Sequence, residues 1–118
     1  MTQAGYTTIA STSPRHMNSA SSNLPLADVT VIDLSHVIAG PFASMILGDL
    51  GATIVKIESP GRGDTARGTP PHDDGISHFF GAINRNKLSV GLNLKDEEGK
   101  ALFRKLVAKA DRWFFESR

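Results

Sequence analysis

The residue types best suited to chemistry lie close together between residues 72 and 78. His72, Asp73 and Asp74 are adjacent, and His78 follows four positions later, so the segment offers the nitrogen and carboxylate ligands that bind metal ions. Their spacing matches no recognised metal motif, and we therefore expect a solvated loop and no metal site. The residue types of a Ser–His–Asp triad are also present, but no Gly-x-Ser-x-Gly elbow occurs to hold a nucleophile.

Two glycine-containing segments are candidates for binding an anion. Residues 60–64, Pro-Gly-Arg-Gly-Asp, resemble a dinucleotide fingerprint, but the third glycine comes only at Gly68 and no helix is expected there. The segment Val37–Pro41 is the better candidate, because it follows a predicted strand and begins a predicted helix. Free N–H groups and the helix dipole favour negative charge at such a position, although Pro41 lacks one donor. From the residues alone, a plain strand-to-helix connection is the favoured interpretation of this segment.

Composition limits the class of protein. The chain has 118 residues, of which 40% are apolar and 21% charged, and it has no cysteine. These values fit one small globular domain and exclude disulfides, thiolate zinc sites and a cysteine nucleophile. The balance of 13 basic against 12 acidic residues argues against a dedicated nucleic-acid binder. No apolar run reaches the length of a membrane span and no signal peptide is visible, so we predict no membrane partner and a cytoplasmic location.

The charge is unevenly distributed along the chain. Residues 84–118 carry 9 basic and 5 acidic side chains, whereas residues 1–83 carry 4 basic and 7 acidic ones. A basic last third suits an anionic ligand, but it also suits a solvated helix face rich in lysine and arginine. The count alone favours the second interpretation.

The chain divides into a tail and one ordered region. Residues 1–23 are rich in Ser, Asn, Thr and Ala without helical or strand periodicity, a composition that buries too little apolar surface to fold. We therefore predict a disordered tail over 1–23 and a partial domain over 24–118.

The ordered region begins with the pattern of a βαβ unit. A β-branched run over residues 29–34 predicts a buried strand, and apolar spacing over 42–50 predicts a helix. Pro41 suits the first helical position and Gly51 suits the position after the last turn. Residues 54–57 predict the second strand, which should be parallel to the first.

The remaining elements repeat this alternation after a long connection. Residues 60–77 hold three prolines and several glycines and predict a loop long enough to suggest function. Alternation over 88–92 predicts a third strand, and the acidic residues 96–98 open a helix with an apolar face over 102–110. Residues 113–115 predict the start of a fourth strand. The pattern is that of an α/β fold with a mostly parallel, incomplete sheet.

The predicted helices would normally be covered by elements that come later in such a fold. We therefore expect Leu102, Phe103 and Trp113 to face solvent or a partner, which favours association or partial unfolding.

Several short stretches together resemble a known family. In order along the chain they are Val31–Pro41, Leu47–Ala52, Val55–Gly61, Gly63–Arg67, Asn84–Val90, Leu92–Lys95 and Glu98–Gly99. Each is weak alone, but their order and spacing resemble the N-terminal part of the family III CoA-transferases over about residues 24–111. This family includes formyl-CoA transferase, carnitine CoA-transferase and α-methylacyl-CoA racemase.

The resemblance implies a fold, a substrate and a chemistry. It implies a Rossmann-like large domain that binds coenzyme A or an acyl-CoA thioester as substrate, with no covalently bound cofactor. It also implies that full-length family members form an interlocked homodimer, which this chain alone is not expected to form. In the family's transferases an aspartate attacks the acyl-CoA thioester and forms a mixed anhydride, which splits one difficult acyl transfer into easier steps. Backbone N–H groups near glycines would stabilise the oxyanions.

The resemblance also implies site residues. The family's CoA contacts match Ile38 and Ala39 at the first turn, and Leu92, Asn93, Leu94 and Lys95 after the third strand. Leucine and alanine side chains would line the adenosine, and Lys95 would meet a phosphate unless it is only an exposed lysine before a helix. Three further residues of the motif, which are expected to order the site, are Arg67, Asn84 and Lys87.

The chain departs from the family pattern at informative positions. Members that resemble formyl-CoA transferase carry Gln where this chain has Ile38, which argues against that specificity, and Arg where it has Ser59. None of the four aspartates Asp33, Asp49, Asp64 and Asp111 matches the motif of the nucleophile, which would lie beyond Arg118. We therefore assign no catalytic residue in this chain.

These observations predict the CoA-binding N-terminal portion of an acyl-CoA transferase that moves CoA between carboxylic acids, inactive by itself. The alternatives are a non-catalytic CoA- or nucleotide-binding or interaction module, a fragment of a CoA-dependent racemase, and one half of a split enzyme.

Overall fold

The computed structural model describes residues 23–114. The predicted tail over 1–23 therefore lies outside the described residues except for Asn23, as does the last residue of the predicted fourth strand. The elements in chain order are β1 (Thr30–Asp33), α1 (Ala39–Asp49), β2 (Thr53–Glu58), a 3₁₀ turn (Thr65–Gly68), β3 (His72–Asp73), β4 (Ile76–Ser77), α2 (His78–Ile83), β5 (Lys87–Gly91), α3 (Glu97–Val107) and β6 (Arg112–Phe114).

Four of the strands form one parallel sheet. Their order is β5-β2-β1-β6, and β1 pairs in parallel with β2 and β6, as β2 does with β5. Counted along the chain, this is the order 3-2-1-4 found in doubly wound folds. The predicted incomplete α/β fold with a mostly parallel, Rossmann-like sheet is confirmed.

The two main helices cover opposite faces of this sheet. Val31, Ala52 and Ile54 form a buried cluster on one face, against which Leu47 of α1 packs. On the other face Ile32, Ile57 and Leu92 form a second cluster, and the apolar side of α3 packs on it. Successive residues of a strand point to opposite faces of the sheet, so the strands supply apolar side chains to both clusters. One helix packs on each cluster.

The ends of α1 differ in part from the prediction. The helix begins at Ala39, so Pro41 occupies the third position and not the first. The change is tolerated because the N–H of the third residue has no intrahelical acceptor either. Gly51 lies two residues beyond the last residue of the helix with a φ of +107°, which confirms the predicted glycine at this end.

The long connection after β2 contains more structure than predicted. Residues 60–77 include the 3₁₀ turn and an antiparallel pairing of β3 with β4, neither of which was predicted within this loop. Asp74 and Gly75 both have positive φ, as the tight turn of a β-hairpin requires. The short helix α2, which begins at His78, was not predicted either.

Exposure of the apolar residues is partly as expected. Trp113 is 61% exposed, as predicted, whereas Leu102 and Phe103 are half-buried against the sheet, so for these two the expectation is wrong. A row of large apolar side chains is also exposed along the outer side of α1 and at the residues that flank it. They follow i, i+4 spacing and are Ile38, Phe42, Ile46 and Leu50. Within residues 23–114 no helix is long and apolar enough to cross a membrane.

Candidate functional site

The face of the sheet under α1 changes from apolar to polar along the strands. Val31 and Ile54 are buried near the amino ends of β1 and β2. Two residues further along, the side chains of Asp33 and Lys56 lie on the same face and in register, with Ser89 of β5 next to Lys56. The carboxyl edge of the sheet, where α/β folds bind ligands, is therefore built from charged and hydroxyl side chains.

Asp33 is the centre of the first group of contacts. Its Oδ1 accepts hydrogen bonds from the backbone N–H and the hydroxyl of Ser35. Its Oδ2 accepts from Ser44 Oγ at 2.6 Å and from Lys87 Nζ at 3.0 Å. Burial alone would raise the pKa of Asp33, but the Lys56 ammonium, the two serine hydroxyls and Lys87 outweigh it and hold that pKa below its ordinary value.

Lys87 connects three elements through one ammonium group. Besides Asp33, its Nζ donates to the carbonyl oxygen of Pro41 in α1 at 2.8 Å and to Asn84 Oδ1 at 2.8 Å. Burial lowers the pKa of Lys87 although Asp33 opposes the shift. These contacts join the first turn of α1 to the sheet and to the end of α2.

Lys56 and Asp64 form a second buried pair. Lys56 Nζ lies 3.0 Å from Asp64 Oδ2 and donates to the carbonyl oxygen of Ser35 at 2.7 Å. Both side chains are inaccessible, at 1% and 0% exposure. Burial raises the pKa of Asp64, but the N–H of Ala66 and the ammonium of Lys56 more than compensate, so the pKa is lowered overall.

Glu58 and Arg67 form a third pair with the geometry of a fork. Arg67 donates from Nε to Oε2 at 2.7 Å and from its terminal nitrogen to Oε1 at 2.6 Å. Ser89 Oγ and the N–H of Asp64 also donate to this carboxylate. Burial opposes ionisation, but these donors, Arg67 first, lower the pKa of Glu58 to about 2. The guanidinium also lies 3.8 Å from the ring centre of Phe80 in α2.

The three pairs balance each other in charge. Asp33, Glu58 and Asp64 are matched by Lys56, Arg67 and Lys87. Every charge of this network is paired, and all of its side chains are buried except Arg67, which is 30% exposed. Removing one partner would leave an uncompensated charge. The network therefore joins the elements of the carboxyl edge, and the candidate ligand-binding groups are those of the connections that it supports.

The turn between β1 and α1 is the first of these groups. Ile38 precedes the helix and is 53% exposed, and Ala39 is its first residue. No side chain caps this end of α1, so the N–H groups of Ala39 and Gly40 have no intrahelical acceptor. Free donors and the helix dipole make this turn a suitable place for an anion.

The connection between β5 and α3 is the second group. Leu92 is only 6% exposed and belongs to the core under α3, so its side chain offers little surface for lining an adenosine. Asn93 accepts from the N–H of Lys95 and donates to Asp96. Leu94 is half-buried against the core, and the Lys95 side chain is exposed.

The two groups lie on the same edge of the sheet but are not adjacent. Ile38 and Ala39 follow β1, whereas residues 92–95 follow β5, and β2 runs between these strands. Two inter-strand spacings separate them by about 10 Å, a gap that an extended ligand can span. The connection after β2 links them, because Glu58 O accepts from the N–H of Leu92 and Asp64 from that of Val37.

Other candidate sites have less support. Within residues 23–114 no group of three or more His, Asp or Glu side chains could hold a metal ion, and His72 instead contacts the carbonyl oxygen of Arg67. A groove of about 250 Å³ lies between β5 and α3, lined by Val90, Leu92, Leu102, Lys105, Leu106 and Lys109. It lies on the face of the sheet away from α1.

Sequence reasoning missed the buried roles of Asp33, Lys56, Glu58 and Asp64. A signal was present, since Lys56 interrupts the apolar run of β2 with apolar residues on both sides. A lysine there must be paired if the strand is buried on both faces.

Comparison with known proteins places the chain in a family. The family model described as CoA-transferase family III matches residues 26–114. The chain is 44% identical over 98 residues to succinyl-CoA:glutarate CoA-transferase of Mus musculus, covering 82% of this chain and 22% of that protein. It is 49% identical over 87 residues to acetyl-CoA:oxalate CoA-transferase of Acetobacter aceti, covering 74% and 22%.

The solved structures agree with this assignment. The crystal structure of a CAIB/BAIF family protein from Brucella suis superposes with a TM-score of 0.72 at 40% identity, covering 77% of this chain and 25% of that one. The chain thus spans about a quarter or less of the length of these relatives. On the family match and these identities, the chain belongs to CoA-transferase family III.

Proposed function

We propose that this chain is the CoA-binding N-terminal portion of an acyl-CoA transferase that moves CoA between carboxylic acids. One observation carries the proposal: the uncapped N-terminus of α1 and the exposed Lys95 lie at the same carboxyl edge of one parallel sheet. The names of the relatives, which are CoA-transferases for glutarate and oxalate, support the substrate class.

The proposed binding mode follows from what each group can offer. The N–H groups of Ala39 and Gly40 would donate to a phosphate or thioester oxygen. Lys95 would supply an ammonium for a phosphate, and Ile38 and Leu94 would supply apolar surface for the adenosine or pantetheine. Leu92 and Asn93 would act through backbone and turn geometry, because the first side chain is buried and the second is engaged with Asp96.

We also propose that the chain does not transfer acyl groups by itself. A carboxylate nucleophile must be accessible and free to attack. At the proposed edge, Asp33, Glu58 and Asp64 are all buried and paired with cations. The same observation favours a second candidate function, a binding module for CoA that has no catalytic role.

Calorimetric titration of the chain with CoA tests the binding. We expect saturable heat, and we expect Lys95→Gln to weaken binding about three- to tenfold because one charge-assisted contact is worth about 1 kcal/mol. Lys109→Gln is the matched control, since Lys109 is also an exposed lysine but lies two residues beyond the C-terminal end of α3. Absence of heat, or equal loss in both variants, would contradict the proposal.

A thioester-exchange assay tests the lack of activity. Acetyl-CoA or succinyl-CoA incubated with oxalate or glutarate should show no exchange above the rate without protein. Protein-dependent exchange would show that the chain carries its own nucleophile.

Three further expectations stay predictions from the sequence. They are the interlocked homodimer of full-length members, the cytoplasmic location and the absence of a nucleic-acid partner.

A further inference from the structure

Val37 has a backbone conformation that its side chain disfavours. Its φ is +68°, and of the three non-glycine residues with positive φ within residues 23–114 it alone is β-branched; the other two are Asp74 and Asn86. Aspartate and asparagine tolerate this left-handed region, whereas a β-branched residue is an outlier there. Such strain persists only where surrounding contacts enforce it, and it is frequent at ligand-binding sites.

Asp64 makes the contact that can enforce this conformation. Its Oδ1 accepts a hydrogen bond from the N–H of Val37 at 3.3 Å, across 27 positions of sequence. The same oxygen accepts from the N–H of Ala66 at 2.9 Å, which anchors the carboxylate in its own loop. The N–H of Asp64 donates to Glu58 Oε2 at 2.7 Å, so the residue is fixed at both its backbone and its side chain.

Lys56 connects Asp64 to the backbone of the β1–α1 connection. Its Nζ lies 3.0 Å from Asp64 Oδ2, an ion pair rather than an aligned hydrogen bond, and it donates to the carbonyl oxygen of Ser35. The pair therefore holds the backbone at residue 35 and at residue 37. Residue 38, the next along the chain, begins the proposed CoA-binding turn.

We propose that Asp64 is a positioning residue that holds Val37 in its left-handed conformation and so fixes the β1–α1 turn for its ligand. The identity of that ligand as CoA rests on the function proposed above. Asp64 is itself inaccessible, so it acts through the turn and not by touching the ligand. A pre-formed turn strengthens binding because the ligand does not have to order it.

A double-mutant cycle in the 118-residue chain tests this role. Asp64→Ala should weaken CoA binding at least tenfold, because Val37 can then leave the left-handed region. In a Val37→Gly background the same change should weaken binding less than threefold, since glycine adopts positive φ without strain. Equal losses in the two backgrounds would overturn the proposal, because Asp64 would then contribute independently of Val37.

A control variant separates positioning from general stability. Ile54→Val removes a methyl group from the core at the amino half of the sheet, away from the turn, and should lower the thermal midpoint with CoA affinity unchanged. If Ile54→Val weakens CoA binding as much as Asp64→Ala does, the effect of Asp64 is one of stability and the proposal is wrong.

Two further measurements decide the matter if Asp64→Ala does not fold. Val37→Asn should raise the thermal midpoint, because asparagine tolerates positive φ, and a lowered midpoint would show that Val37 is not strained. The N–H of Val37 in the unaltered chain should exchange with solvent more slowly than that of the exposed Ile38, and equal exchange would contradict the contact with Asp64.

These readouts also keep the two proposals distinguishable. If the unaltered chain does not bind CoA, the proposed function fails. The midpoint of Val37→Asn and the exchange of the Val37 amide then decide by themselves whether Asp64 holds the turn.

Discussion

Lys87 donates a hydrogen bond to Asp33 at 3.0 Å although the two residues are 54 positions apart and lie on strands that are not neighbours. The bond passes over β2 on the face covered by α1, and the same ammonium reaches the carbonyl oxygen of Pro41. The pair therefore joins β1, β5 and the first turn of α1. It explains how the proposed binding turn is held over the sheet without any cap of its own.

Removal of the lysine should be strongly destabilising. Lys87→Met leaves Asp33 buried with one cation fewer, and breaking a buried pair in this way costs about 3–5 kcal/mol. Urea unfolding followed by the fluorescence of Trp113 measures the change. Lys100→Met is the control, because its partner Glu97 is exposed and such pairs contribute less than about 1 kcal/mol. Similar losses in the two variants would contradict a buried role for Lys87.

The stability of the fold should fall at acid pH, in part through Glu58. Its pKa is lowered from 4.5 to about 2 in the folded state. Its contribution to the free energy of unfolding is therefore fully present above pH 4.5 and is lost as the pH falls toward 2. A shift of this size corresponds to about 3 kcal/mol. Free energies of unfolding measured between pH 7 and pH 2 should show this loss.

The variant Glu58→Gln should flatten that pH dependence and lower stability at pH 7, because Arg67 loses its ionic partner. Glu97→Gln is the control on the exposed surface of α3 and should leave the profile as it is. A profile for Glu58→Gln as steep as that of the unaltered chain would assign the acid sensitivity to other carboxylates, such as Asp33 and Asp64, whose pKa values are also lowered.

The connection that carries Lys95 should depend on the absence of a side chain at Gly99. A Cβ at Gly99 would overlap with the carbonyl oxygen of Asn93 and approach Asp96 Oδ1 to 2.9 Å. Gly99→Ala should therefore cost about 1–3 kcal/mol and weaken CoA binding. At Gly81 in α2 an added Cβ meets nothing within 4 Å, so Gly81→Ala should be neutral or stabilising by up to about 1 kcal/mol. A tolerated Gly99→Ala would contradict the close packing of this connection.

The sheet and its two main helices were predictable because each has a strong local pattern. The runs at β1 and β2, the amphipathic spacing of α3 and the acidic residues at its start all indicate the elements that form. The helix α2 was missed because it has only six residues and follows a segment rich in proline and glycine. The turn at Asp74-Gly75 carried the sequence signal of a hairpin, but the flanking strands are only two residues long.

The position of the candidate turn was predictable from the sequence, but the contacts that support it were not. The turn after β1 could be placed at the carboxyl edge from the βαβ pattern alone. The pairing of Lys56 with Asp64 could not be predicted, because it joins a strand to a loop whose path is set by tertiary contacts. The strain at Val37 could not be predicted either, since nothing in the local sequence favours a positive φ for valine.

The most direct test of the central claim is to map amide chemical shifts of the chain as CoA is added. We predict that the largest changes fall at residues 38–40 and 93–95, on the two connections at the carboxyl edge. We predict no comparable change at Leu102 and Leu106, which line the groove on the other face. Changes confined to that groove, or no changes at saturating CoA, would contradict this claim.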